Sequence, residues 1–145
     1  MDEMRGLRDD EVERFLSLPL VATLATYRRN ATVLLSPVWQ EWATEAFHVL
    51  LSRDDIKANH VRDNPRVGIV VYEHAPPYRG VEASGMGTLV DGIYGDVLAR
   101  MGPRYLPDGL PTQLASDGVV LKLVPERLRS WTFEEWFSDH SGQTQ

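Results

Sequence analysis

The chain has 145 residues, 15 basic and 21 acidic side chains, a formal net charge of -6 and no cysteine. That length suits one domain with a real core, and the missing thiols exclude disulfides, zinc ribbons, iron–sulfur ligation and thiolate nucleophiles. The acidic balance disfavours broad phosphate-backbone contact, so no nucleic-acid partner is expected, although a small anionic ligand needs only a few positive groups brought together.

The start is polar and acidic and no apolar run reaches membrane-spanning length, so neither a signal peptide nor a membrane contact is expected, and the compartment is read as cytoplasmic. Asp10 followed by Glu13 fits a capping-box start for a helix that carries Val12, Phe15 and Leu16 on one face and ends at Pro19. It is expected to cover one end of a sheet and to carry no chemistry.

From Leu20 to Trp42 two β-rich runs flank Arg28-Arg29-Asn30, the pattern of a hairpin. Pro37 lies inside the second run and cannot donate to a ladder, so the strand sits at an edge, bends or bulges there. A half-buried bend leaves N–H and C=O groups near Ser36, Val38 and Trp39 in need of a partner, and a flat heteroaromatic ring with edge donors and acceptors can supply one. The competing reading is an edge strand whose proline only blocks aggregation.

Trp42 to Glu45 reads as a turn and Ala46 to Leu51 as a third strand. His48 inside it has no carboxylate or second histidine at ligand spacing, so a packed or outward side chain is expected and no metal site. Ser52 to Pro65 reads as a short helix closed before the proline, with Asp54 as its cap. A strand feeding a helix N-terminus offers free N–H groups to a phosphate or carboxylate, and Arg53, Lys57 and His60 follow at spacings that bring them together. The same pattern also describes a solvated face neutralised by Asp54 and Asp55.

Arg66 to Tyr72 reads as a strand buried on both faces. His74 to Gly80 is a proline-stiffened loop carrying Tyr78 and Arg79, an aromatic and a guanidinium that suit a planar anion or simply a surface loop. Val81 to Val90 is a further strand in which Gly85 and Gly87 clear one face for a ligand, another backbone or a barrel corner. No helix follows Gly85-Met86-Gly87, so it is no dinucleotide fingerprint.

Asp96 to Met101 reads as a short helix broken at Gly102-Pro103, followed by a surface excursion from Tyr105 to Gly118. Val119 to Val124 and Arg127 to Phe133 are two last strands, with Trp131 and Phe133 on one side of the second, and Trp131 either packs in the core or stacks on a ligand. The tail from Phe137 is expected to fray. About seven strands with short helices and turn signals between them read as an antiparallel β-barrel.

Taken in order, Val21 to Thr26, Ser36-Pro-Val-Trp39, Arg53 with Lys57, His60 to Val67, Pro77 to Glu82, and Val119 to Leu123 with Arg129-Ser-Trp131 resemble the pyridoxamine 5′-phosphate oxidase-like split β-barrel family. Within it they are most similar to the small flavin and deazaflavin oxidoreductases. The resemblance implies a mainly β fold, a split β-barrel of the FMN-binding type with short helices, and a homodimer with two cofactor sites at the subunit interface. It implies that Ser36, Pro37, Val38 and Trp39 line a tricyclic ring and that Ser52, Arg53 and Lys57 hold its phosphate, with His60 beside them. Tyr78 and Arg79 would border the pocket, from the same or the partner subunit, and Trp131 would shape an apolar wall. The chain departs from the family pattern at three places: Asn30-Ala31 where Asp-Gly is common, Leu51 where a hydroxyl is common, and Leu34 where a polar residue is common.

The resemblance implies an oxidoreductase that uses the deazaflavin F420 or FMN and passes hydride to or from a planar, conjugated small molecule. Such a coenzyme carries the hydride chemistry itself, which accounts for a sequence without a catalytic triad or acid–base pair. The longer anionic tail of F420 calls for extra cations, which Arg28, Arg29 or Arg79 could provide. Vitamin B6 oxidation is the weaker reading, because the chain is short for it and shows no substrate-phosphate cluster. The alternative from another class is a non-catalytic carrier of flavin or haem on the same fold.

Overall fold

The computed structural model describes residues 4–111 and 117–141. Helix α1 (Asp9–Leu16) buries Val12, Phe15 and Leu16, the face read from the sequence. Its start differs: the Arg8 N–H donates to the Glu11 carboxylate at 3.0 Å, so the reciprocal contact of a capping box forms from Glu11 and not from Glu13.

Strands β1 (Ala22–Tyr27) and β2 (Val33–Val38) form the expected hairpin. In place of a tight Asp-Gly turn, residues 28–32 make a longer loop closed by Arg28 N–H to Thr32 C=O at 2.9 Å. Ala31 takes the left-handed conformation there, φ 69°. The segment read as a plain turn contains a short strand, β3 (Glu41–Ala43), which turns at Thr44-Glu45 into β4 (Ala46–Leu51). A three-residue strand has too little local pattern to announce itself; its pairing with β4 defines it.

Helix α2 (Ile56–Asp63) is capped by Asp55 and not Asp54, because the Asp55 carboxylate accepts the Lys57 N–H at 2.8 Å. Strand β5 (Arg66–Tyr72) buries Val67, Ile69 and Val71 on one face only, whereas burial on both faces was expected: Gly68 and Val70 are half-buried and face outward. Strand β6 (Gly80–Val90) changes partners midway. Its first part pairs with β5 and with β8 (Arg127–Trp131), and residues 87–90 pair with β7 (Val119–Leu123). A side chain on Gly87 would bring a Cβ to 2.6 Å from Leu121 Cδ1, so this glycine is where the barrel turns its corner.

Helix α3 (Tyr94–Tyr105) runs through Gly102-Pro103, where a break was expected. Proline removes one donor, but side-chain contacts of Arg104 and Tyr105 described below anchor the final turn. Of the surface excursion expected after Tyr105, residues 112–116 lie outside the described part. Helix α4 (Glu134–Ser141) replaces the first part of the expected frayed tail; Arg5 pairs with Glu134 at 3.0 Å, and Tyr78 lies 5.8 Å from the Phe137 ring.

The eight strands form one antiparallel sheet in the order β2-β1-β5-β6-β7-β4-β3, with β8 on β6. It curls around Leu24, Phe47, Val49, Val67, Val81 and Leu121, and α1 plugs one end with Phe15. β2 and β3 are consecutive in the chain yet stand at opposite ends of the strand order. The curl therefore opens where the backbone passes from Val38 to Glu41. The fold is the mainly β split barrel with short helices that the sequence suggested. No helix among the described residues is long and apolar enough to cross a membrane.

Candidate functional site

A cleft of about 410 Å³ lies at that opening, within the range of small-molecule sites. Pro37 and Val38, which end the edge strand β2 in unbroken register with β1 as the aggregation-blocking reading of the proline allowed, form one wall with Trp39, where the chain bends towards β3. Leu50 on β4 and Tyr94 and Leu98 on α3 form the facing apolar surface, and Asp55 and Lys57 stand at the mouth of α2. The ribbon after Pro37 and the start of α2, which sequence reasoning placed at opposite ends of one ligand, share one hollow within a single chain.

The bend is held from α3. Trp39 and Tyr105 stack with centroids 4.8 Å apart and planes 4° from parallel. The Tyr105 hydroxyl accepts the Gln40 N–H at 3.2 Å and donates to Leu20 C=O at 2.8 Å. Arg104 spreads its guanidinium over four carbonyls: Ser17 at 2.8 Å, Leu16 and Leu18 at 2.9 Å, and Gln40 at 3.0 Å. Where the chain turns from β2 to β3, the Gln40 N–H and C=O are therefore both satisfied by the protein itself.

At the other end, Lys57 Nζ pairs with Asp55 Oδ2 at 3.0 Å, and both side chains are largely shielded. Burial raises the Tyr94 phenol above its ordinary pKa, so the cleft presents it as a neutral hydroxyl at pH 7. Apolar walls ending in one ammonium fit a flat ring with a single anionic arm. Lys57 would hold the anion, and Val38 and Trp39 would flank the ring. Among the described residues no group of three or more His, Asp or Glu is arranged to hold a metal.

The other sequence candidates lie elsewhere in the chain. Ser36 is half-buried opposite Leu24 on the inner sheet face, and Ser52 is exposed, giving its carbonyl to the Asp55 N–H at 3.1 Å. Arg53 does not join Lys57: its guanidinium pairs with Asp91 at 2.5 Å and Asp117 at 3.4 Å, and those hydrogen bonds raise its pKa. His60 turns away from the cleft to Thr26 Oγ1, 3.0 Å from its Nδ1. It lines a separate groove with Arg28, Arg29 and Asp63. The expected Arg53–Lys57–His60 face is therefore split in three.

Arg79 is held by Glu73 through contacts of 2.7 and 3.0 Å and lies 5.1 Å over the Phe15 ring, while Tyr78 is exposed at φ 55°. Trp131 is not in the core; it lies across Gly80 on the outer sheet face, with Arg129 4.9 Å from its ring. The residues that sequence reading missed are Val21, Leu50, Asp55, Tyr94 and Leu98. For the last two, the apolar spacing from Tyr94 through Val97, Leu98 and Met101 was an available signal of an α3 face, though not of what it faces.

Comparison with known proteins bears on the fold. No curated protein matches the chain. Among solved structures, an F420 reductase superposes with a TM-score of 0.69 at 27% identity, over 80% of this chain and 94% of the other. The conserved hypothetical protein Rv2991 from Mycobacterium tuberculosis gives 0.73 at 21% identity over 90% and 88%, and HutZ, the heme storage protein from Vibrio cholerae, 0.66 at 23% over 87% and 97%. The model of the family described as pyridoxamine 5′-phosphate oxidase matches residues 9–132. With most of its length matched, and with the split barrel in place, the chain belongs to the pyridoxamine 5′-phosphate oxidase family.

Proposed function

We propose that this protein is an oxidoreductase that binds a flavin-type coenzyme, F420 or FMN, in the cleft between the β2–β3 bend and α2. The observation that carries the reading is the convergence of Pro37, Val38 and Trp39 with Lys57 on one hollow of about 410 Å³. The 27% identity to an F420 reductase supports the deazaflavin form. When bound, the coenzyme supplies the hydride chemistry. The chain's own part is to flank the ring with Val38 and Trp39, anchor the anionic arm on Lys57, keep water from the ring with Leu50 and Leu98, and leave one ring face open to a planar, conjugated substrate.

A second copy is assigned to the outer face of β1, β2 and β5, where Val33 and Leu35 are 42% and 62% exposed. In such a homodimer, Tyr78, Arg79 and Trp131 would border the partner's cleft, since none of the three lines this one. A long anionic tail is assigned to Arg28 and Arg29, which line the groove beyond α2 and would exchange their present contacts to Val33 C=O and Asp63 for it.

Titration of the purified protein tests the reading. F420 fluorescence or the FMN spectrum should change saturably, and reduced coenzyme should be consumed with a panel of quinones and enones. Lys57→Ala should weaken binding more than tenfold, in line with a charge-assisted contact of roughly 1.5–3 kcal/mol. Unchanged affinity would remove Lys57 from the site. Tight binding of flavin or haem with no turnover of any acceptor would establish the carrier reading, which the fold shared with HutZ also accommodates.

A further inference from the structure

We propose that Asp55 sets the charge selectivity of the cleft by competing with a bound phosphate for Lys57, a proposal that rests on the coenzyme reading above. Asp55 uses its two oxygens differently. Oδ1 accepts the Lys57 main-chain N–H at 2.8 Å and caps α2, while Oδ2 pairs with Lys57 Nζ at 3.0 Å. The two side chains are 22% and 18% exposed, and both line the cleft beside Val38 and Trp39.

Among the described residues lining this cleft, Lys57 is the only cation, and it is already neutralised from within. Arg53, four residues before it, is committed to Asp91 and Asp117. A phosphate that reaches Lys57 must share the ammonium with Asp55 or displace it, and in either case lies beside a carboxylate. In a partly shielded site water screens that repulsion incompletely. Asp55 therefore lowers affinity for the phosphate arm without touching the ring, and tilts the cleft towards ligands that carry less charge at this end.

Capping needs an oxygen acceptor, whereas competition needs a charge, and asparagine keeps the first while removing the second. Asp55→Asn should tighten FMN at least fivefold and leave riboflavin, which has the same ring without phosphate, within twofold. The same contrast is expected between F420 and its phosphate-free deazaflavin core. Kd values for both pairs, measured by fluorescence titration on the full chain, give the readout, and the gain should shrink as salt is raised. Asp55→Ser, which also keeps a cap, serves if the asparagine variant folds poorly. An unchanged FMN-to-riboflavin ratio, or weaker FMN binding, would overturn the proposal; the second result would mean that Asp55 orients Lys57. If neither member of either pair binds the wild-type protein, the coenzyme reading falls and this proposal with it.

Discussion

Replacing Arg104 by alanine should loosen the opening of the barrel. Its guanidinium ties the end of α1 (Leu16, Ser17, Leu18) to the bend (Gln40) from the last turn of α3. The contacts to Ser17 and Leu18 are exposed, and water replaces them at little cost. Those to Leu16 and Gln40 are part-buried, and Leu16 C=O keeps a second donor in Gln40 Nε2 at 2.8 Å. Counting the two shielded charge-assisted bonds and discounting the shared acceptor gives a loss of about 2–4 kcal/mol. For a domain of this size that is a fall in Tm of about 6–14 °C. Arg104→Lys keeps the charge but lacks the planar fork, so it should recover less than half of the loss. Thermal unfolding followed by circular dichroism reads both variants. A loss below about 0.5 kcal/mol, or full rescue by lysine, would refute the view that guanidinium geometry holds the bend.

A Cβ on Gly118 would run into the Leu51 carbonyl and lie 2.7 Å from Tyr94 Cε2. Gly118→Ala should therefore cost about 1–3 kcal/mol, read as a lower urea midpoint, and should weaken ligand binding by moving Tyr94; normal stability would show that the segment yields freely. His48 is buried, and desolvation holds its imidazole below the ordinary pKa against the opposing pull of Glu41 3.8 Å away. With the folded pKa depressed, the unfolded chain takes up the proton first, so stability should be level above about pH 6.5 and decline as pH falls below it. His48→Gln should reduce that decline in urea melts at stepped pH; parallel curves would exclude His48 as a source.

What the sequence disclosed depended on how far each cause reaches along the chain. The hairpin and strand β4 were legible because turn residues and a β-rich apolar run are local, and the edge position of β2 because a proline without a donor is kept out of a central ladder. Lys57 was legible as a helix-start cation. Arg53, His60 and Arg79 were not, because nothing near Arg53 announces Asp91 and Asp117, nothing near His60 announces Thr26, and Arg79's bond to Glu73 depends on the shape of its loop. Pro103 misled for a related reason: its propensity argued for a break, while the anchors of the next two residues lie in segments far upstream. Leu50 and Leu98 look like ordinary core residues until the sheet's opening is located.

The gap between β2 and β3 makes the barrel's weakest seam coincide with its hollow. A molecule seated there bridges staves that no ladder joins, so occupancy should be felt as mechanical reinforcement as well as recognition. Ligand saturation at a hundred times Kd is worth about 2.7 kcal/mol of extra stability. Amide exchange around the rim, from Leu20 to Ala43, should slow first and most.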